Sequence, residues 1–176
     1  MKNLIVLIVS CSLLFTQSCK DKDLSVEPSL PQFTRDGRNT FGCYVNGAPF
    51  IADNYHLGWG DQTATSAYLF DDDVLKISVI DLEMDKSAIL LESKIKREIG
   101  HYELTTDTSS ILTQFIDFSH LGGRTYYVPS DLPGIIKITR LTQDIVSGTF
   151  EFIGVSSAGD TVQITDGRFD IELKKF

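Results

Sequence analysis

Cysteine is scarce in this 176-residue chain and is badly placed for cross-linking. There are three cysteines, and two of them, Cys11 and Cys19, fall within the first nineteen residues. Cys43 is the only cysteine in the remainder, which excludes an internal disulfide or a cysteine-based zinc site there. Because Cys43 lies in an apolar stretch that reads as a strand, we interpret it as a small buried side chain.

Positive charge is also in short supply. The chain has 16 lysines and arginines against 24 aspartates and glutamates, a formal net charge of −8, and no run of basic residues. Nucleic-acid binding requires neutralisation of phosphates, and adhesion to anionic lipid requires basic clusters. We therefore expect no nucleic-acid partner and no purely electrostatic attachment to a membrane.

The motifs of catalytic and metal sites are missing as well. His56, His101 and His120 have no metal-ligand spacing, and the chain has no phosphate-binding loop. Residues 154–159 lack the spacing and the strand-to-helix context of a nucleophile elbow. Residues 71–73 (DDD) lack the spaced pattern of a calcium loop and are typical of a charged hairpin tip. We predict no catalytic residue, no metal site and no cofactor.

The longest apolar run lies at the N-terminus. Residues 4–15 are almost continuously apolar and follow Lys2. This run is too short for a membrane-spanning helix, which needs about twenty residues. Its length and its position after a basic residue predict a secretory signal peptide over residues 1–18.

Cys19 follows Ser18 at the end of this apolar run. The arrangement resembles a bacterial lipoprotein signal, which implies that Cys19 is the acylated first residue of the mature chain. Cys11 after Ser10 is the competing candidate, and an ordinary cleaved signal is the other alternative. The cluster at residues 20–23 (KDKD) resembles the surface-export signal of Bacteroidetes lipoproteins. We expect an outer-membrane lipoprotein, attached through its lipid and exposed at the cell surface rather than facing the periplasm.

The rest of the chain reads as a tether followed by one β-rich domain. Residues 19–38 are rich in charge and poor in large apolar side chains, which predicts a lipidated flexible tether. Residues 39–176 contain many short strands with turn signals, which predicts a single all-β domain, an antiparallel sandwich or a barrel-like meander. We expect one strand over residues 41–50, with the turn signal Asn46-Gly47 near its end, and a hairpin around residues 71–73. Residues 85–99 fit either an amphipathic helix or, as we favour, a strand and a loop.

The C-terminal third gives the clearest strand pattern. Strands are predicted at 134–141 and 145–155, followed by a further strand to residue 173. In that last strand Val162 and Ile164 have one parity and Phe169 and Ile171 the other, so one extra residue is needed to bury both sets. We predict a bulge at residues 166–167, with Gly167 at positive φ. An Asp-Gly hairpin with short arms is the alternative.

Three stretches together resemble a known family. They are residues 39–47 (NTFGCYVNG), 145–152 (IVSGTFEF) and 164–170 (ITDGRFD). The combination resembles a family of uncharacterised Bacteroidetes lipoproteins that carry a domain of unknown function. The resemblance implies a cell-envelope lipoprotein with a β-rich domain, and it implies no activity, substrate or catalytic residue.

The function expected from the sequence is a non-catalytic binding or structural module of the cell envelope. Its partner would be a glycan or an envelope protein, and the ligand-binding residues stay unknown. Trp59, which stands between two glycines, is the one candidate for ligand contact, although core packing is the role we favour for it. A secreted hydrolase with an unrecognised active site and a fimbria-like structural subunit are the alternative functions.

Overall fold

The computed structural model describes residues 29–52, 65–81, 87–107, 111–119 and 122–175. Within these ranges the chain forms β-strands and no helix, so no described helix is long and apolar enough to cross a membrane. The all-β prediction is confirmed. The strands are β1 (Thr40–Val45), β2 (Ala48–Ile51), β3 (Thr65–Leu69), β4 (Val74–Asp81), β5 (Ser87–Lys94), β6 (Gly100–Leu104), β7 (Thr106–Asp107), β8 (Ile111–Leu112), β9 (Gln114–Asp117), β10 (Arg124–Tyr127), β11 (Gly134–Leu141), β12 (Ile145–Ser156) and β13 (Thr161–Glu172).

Eleven of these strands form one antiparallel sheet that curls into a half-barrel. Its main path runs β2-β1-β13-β12-β10-β9-β5-β4-β3, while β11 pairs with β12 and β6. The far strand β3 returns to the end of β13, where Ala67 forms a parallel bridge with Leu173. The amide of Lys174 donates to the carbonyl of Ala67 at 2.9 Å. The barrel-like alternative is therefore correct, and the described residues do not form a two-sheet sandwich.

The concave face of the sheet holds the apolar core. Its centre is an aromatic cluster in which the rings of Phe41 and Phe150 stack with centroids 5.0 Å apart. Phe50 packs edge-on against Phe41 at 6.2 Å, and Phe169 lies 6.3 Å from Phe150. Cys43 is fully buried in β1. Alternation along β1, β12 and β13 points these side chains inward, so the opposite face of the same strands is free to carry polar side chains.

The strand bounds decide two of the sequence-based predictions, for residues 41–50 and for residues 85–99. The single strand predicted over 41–50 is wrong, because Asn46 (φ 50°) and Gly47 (φ 85°) form a tight turn between β1 and β2. Both positive φ angles suit a two-residue hairpin turn, which the Asn-Gly pair favours. In the ambiguous stretch 85–99, the favoured strand forms as β5 and the helix does not. Residues 85 and 86 lie outside the described ranges.

The predicted bulge exists, but its backbone differs from the prediction. Phe150 pairs with Gly167 and Phe152 with Ile164, so Glu151 faces two residues of β13. Both apolar sets of β13 are buried as a result, and the Asp-Gly hairpin does not form. The positive φ falls on Asp166 (51°) and not on Gly167. Gly167 is needed for space instead, since a Cβ there would lie 2.5 Å from the carbonyl oxygen of Phe150.

Candidate functional site: a groove on the outer sheet face

The convex face of β13 carries a buried carboxylate. Asp170 points away from the core, yet it is only 1% exposed, because the chain preceding β1 lies over it. Oδ1 of Asp170 accepts from the amide of Gly37 at 2.9 Å and from the hydroxyl of Ser147, its cross-strand partner on β12, at 2.7 Å. Asp170 therefore bonds both to the neighbouring strand β12 and to the chain that precedes β1.

The other oxygen of the same carboxylate binds three more donors. Oδ2 of Asp170 accepts from the hydroxyl of Thr34 at 2.6 Å and from the amides of Asp36 and Arg38 at 2.9 and 3.3 Å. Successive amides around Gly37, whose φ is +74°, form the concave kind of backbone nest that binds anions. We call residues 31–38 the N-terminal arm.

The hydrogen bonds also determine the ionisation of this carboxyl group. Burial by itself raises the pKa of Asp170, but the hydrogen bonds from Thr34, Ser147, Gly37 and Asp36 outweigh it and lower the pKa to about 2. Asp170 is therefore ionised at neutral pH, and its charge is solvated by protein donors in place of water.

The N-terminal arm makes further contacts with the same face. The guanidinium of Arg168 donates to the carbonyl of Pro31 at 3.3 Å, and that of Arg140 donates to the carbonyl of Arg35 at 2.5 Å. Gly42 makes room for the arm, since a Cβ at this position would lie 2.6 Å from Cδ of Pro31. Packed structure thus begins before residue 39, inside the stretch that the sequence assigned to the tether.

The arm borders a hollow on this face, which we call the outer groove. It has a volume of about 540 Å³. The arm supplies one wall through Phe33, and strands β6, β11, β12 and β13 supply the floor. Its lining residues are Phe33, His101, Ile135, Lys137, Thr149, Phe150, Glu151, Asp166, Gly167 and Arg168.

Strand register places the polar lining residues in a row across the floor. Lys137 on β11 pairs with His101 on β6 and with Thr149 on β12. Thr149 in turn pairs with Arg168 on β13. Directly paired residues point to the same side of a sheet. The row therefore presents nitrogen donors and a hydroxyl along one line.

Acidic residues lie beside this row. Glu151 follows Thr149 by two positions on β12 and so shares its face, next to Ile135 on β11. Asp166 enters the groove because the bulge inserts it opposite Glu151. The bulge therefore shapes the groove as well as the core. The sequence predicted the bulge, but no sequence pattern predicted that the bulge would bring Asp166 next to Glu151.

Much of the hydrogen-bonding capacity of the groove is unused. In the part of the chain that the structure describes, the side chains of Lys137 and His101 form no hydrogen bond or ion pair. Arg168 donates only to the backbone carbonyls of Asp166 and Pro31, at 3.4 and 3.3 Å. Exposed apolar surface accompanies these groups, since Phe33 is 43% and Ile135 46% exposed.

A second hollow, of about 270 Å³, has an apolar lining that includes Phe50, Phe115 and Tyr126, and Ser87 and Ser119 also line it. Ser87 follows the segment 82–86 and Ser119 precedes the segment 120–121, and both segments are outside the described ranges. The outer groove is therefore the better-defined candidate site.

Most of the candidate residues chosen from the sequence are not among the described residues that line the outer groove. Cys11, Cys19, Trp59, His56 and His120 lie outside the described ranges, so their predicted roles stay predictions. His101 lines the outer groove. Residues 71–73 form the tip between β3 and β4, as predicted, and Arg97 pairs with the last of them. Within the described ranges, no three His, Cys, Asp or Glu side chains are grouped to hold a metal.

The fold and the groove define an all-β half-barrel whose convex face carries a polar cleft. The chain belongs to the DUF6252 family, described as a domain of unknown function, whose family model matches residues 59–170. The match begins at residue 59, so the N-terminal arm and the β1–β2 hairpin lie before it. No curated protein and no solved structure matches the chain.

Proposed function

We propose that the protein is a lipid-anchored, non-catalytic binding module of the bacterial outer membrane that uses the outer groove to hold its ligand. One observation carries the proposal: the N-terminal arm is fastened to the same sheet face as the groove and contributes Phe33 to it. The proposed anchor at Cys19 precedes this arm. The resemblance of residues 20–23 to a surface-export signal supports exposure at the cell surface of a Bacteroidetes bacterium.

The arm limits how far the groove can lie from the membrane. With Asp170 and Arg168 holding residues 31–38, only residues 20–30 connect the arm to Cys19. That length spans at most about 40 Å when fully extended. The groove of a Cys19-anchored protein would therefore stay within this distance of the lipid, where it would meet ligands at the cell surface.

The fimbria-like alternative receives less support from the sheet edges. A structural subunit of that kind accepts a partner's strand along an open edge. Pro49 lies in the edge strand β2 and removes one backbone donor there. At the opposite end of the main sheet path, Ala67 of β3 is already bridged to Leu173. At these two edges the structure favours a self-contained binding module, while β6 is a further edge strand that pairs with β11.

Mass spectrometry of the membrane-bound protein tests the anchor. We expect an acylated N-terminal Cys19 after expression in a bacterium with a lipoprotein pathway, and Cys19→Ser should release the protein from the membrane fraction. Cys11→Ser is the matched control and should remain lipidated. An unmodified peptide spanning residues 17–24, or lipid on Cys11, would contradict the proposal.

Intrinsic fluorescence tests whether Trp59, which is the only tryptophan of the chain, contacts the ligand or has the core role. A ligand that contacts its indole should shift the emission maximum or quench the emission. An emission spectrum that does not change at saturating ligand would place Trp59 outside the binding site.

A further inference from the structure

We propose that the ligand of the outer groove is an uncharged oligosaccharide, an inference that rests on the binding role proposed above and names its ligand class. Three features of the groove support this ligand class: its balance of charge, the exposed apolar surface beside it, and its dimensions.

The charges of the groove favour a neutral ligand that carries many hydroxyl groups. Lys137 and Arg168 supply cationic donors, while Glu151 and Asp166 supply anionic acceptors in the same cleft. A polyanion would meet the two carboxylates, and a polycation would meet the two cations. A sugar hydroxyl donates and accepts at once, so neighbouring hydroxyls satisfy mixed donors and acceptors without burying a net charge.

Apolar surface next to these groups matches the C–H faces of a sugar ring. Phe33 lines the groove at 43% exposure, and Ile135 at 46% exposure lies on its floor. The guanidinium of Arg35 lies 5.6 Å from the centroid of the Phe33 ring, which restricts the ring while leaving much of its surface exposed. An aromatic ring held in this way offers apolar contact area at a low entropic cost.

The dimensions of the groove suit a short chain of sugars. The volume of about 540 Å³ lies within the usual range of small-ligand sites, about 300–1,000 Å³. The row from His101 to Arg168 crosses four neighbouring strands. Three strand spacings amount to about 14 Å, so the row can contact successive rings of an oligosaccharide.

Affinity electrophoresis tests the proposal. The purified protein is run through gels that contain a neutral polysaccharide (β-glucan, α-glucan, xylan or mannan) or a charged one (polygalacturonate, heparin or chitosan). We expect at least one neutral polymer to retard the protein. Phe33→Ala should weaken that retardation at least tenfold, and Glu151→Gln should weaken it because an acceptor is lost.

Phe118→Ala is the matched control, because Phe118 is 42% exposed and does not line the groove. It should bind as the unchanged protein does. Retardation by charged polymers alone, lost in Phe33→Ala, would overturn the neutral-sugar assignment and keep the groove as a binding site. Absence of retardation by every polymer, or retardation that Phe33→Ala leaves intact, would overturn the inference, while the lipid analysis of Cys19 would still decide the anchor.

Discussion

Replacing Asp170 with asparagine should unfasten the N-terminal arm while leaving the half-barrel folded. Asparagine has the same shape but only one acceptor oxygen. If its NH₂ group takes the place of Oδ2, it faces the donors of Thr34, Asp36 and Arg38. If it takes the place of Oδ1, it faces the amide of Gly37. In either orientation at least one buried backbone amide loses its acceptor.

The size of the effect follows from the same geometry. The pKa of Asp170 falls from 3.8 to about 2, which corresponds to roughly 2 kcal/mol of stabilisation of the charged form. A buried donor left without a partner costs about 1–3 kcal/mol, and part of this cost is already included in the first figure because the same hydrogen bonds lower the pKa. We therefore expect Asp170→Asn to lower the free energy of unfolding by about 2–4 kcal/mol. Domains of this size have about 5–15 kcal/mol of stability, so the variant should remain folded.

Urea unfolding and limited trypsin digestion measure the two consequences separately. Unfolding should report the lost free energy, and digestion should show faster cleavage after Arg35 and Arg38 with the remaining chain intact. Asp166→Asn is the matched control, because Asp166 is an exposed carboxylate on the same strand and asparagine also tolerates positive φ. Equal stability and equal cleavage rates for Asp170→Asn and the control would refute the reasoning.

Acid should remove the same stabilisation in the unchanged protein. The folded pKa of Asp170 lies below its ordinary value, so its contribution is fully present above about pH 4 and is lost as the pH falls towards 2. The difference in unfolding free energy between the unchanged protein and Asp170→Asn should shrink over that interval. A difference that stays constant down to pH 2 would mean that the charge of Asp170 does not hold the arm.

Three further predictions concern the bulge and the core. Gly167→Ala should lower the free energy of unfolding by about 1–3 kcal/mol, since its Cβ would lie 2.5 Å from the carbonyl oxygen of Phe150; an unchanged urea midpoint would contradict the close approach. Asp166→Gly should keep or raise that midpoint, because glycine adopts positive φ at no steric cost; a loss as large as that of Gly167→Ala would show the bulge to be misassigned. The thiol of Cys43, which is 0% exposed, should react with a polar disulfide reagent only after unfolding when the other two cysteines are serine; rapid reaction in native buffer would mean that β1 is not packed.

Alternation of apolar residues predicted the C-terminal strands and the need for a bulge, because it depends only on neighbours along the chain. Which of the two bulge residues takes the positive φ depends on what lies across the strand. The carbonyl oxygen and ring of Phe150 approach Gly167 too closely for a side chain, so glycine is used there for space, and Asp166 takes the positive φ. The sequence alone does not show that approach.

The N-terminal arm shows a second feature that the sequence did not predict, a contact between residues far apart in the chain. Composition described residues 19–38 correctly as polar and charged, and such segments are often free in solution. The attachment of residues 34–38 centres on one carboxylate 133 positions away from Gly37, a pairing that no local pattern encodes. The groove is similar, because Lys137, Thr149 and Arg168 come together only through strand register. The polar or charged character of each residue was visible in the sequence, but the row that these residues form across the sheet was not.

Amide hydrogen exchange measured by NMR at neutral pH tests most directly whether the N-terminal arm belongs to the folded domain. The amides of Asp36, Gly37 and Arg38 donate to Asp170, so they should exchange far more slowly than an unstructured chain and become fast in Asp170→Asn. Exchange at the unstructured rate in the unchanged protein, while the amides of β12 and β13 stay protected, would contradict the attachment of the arm and its place in the wall of the groove.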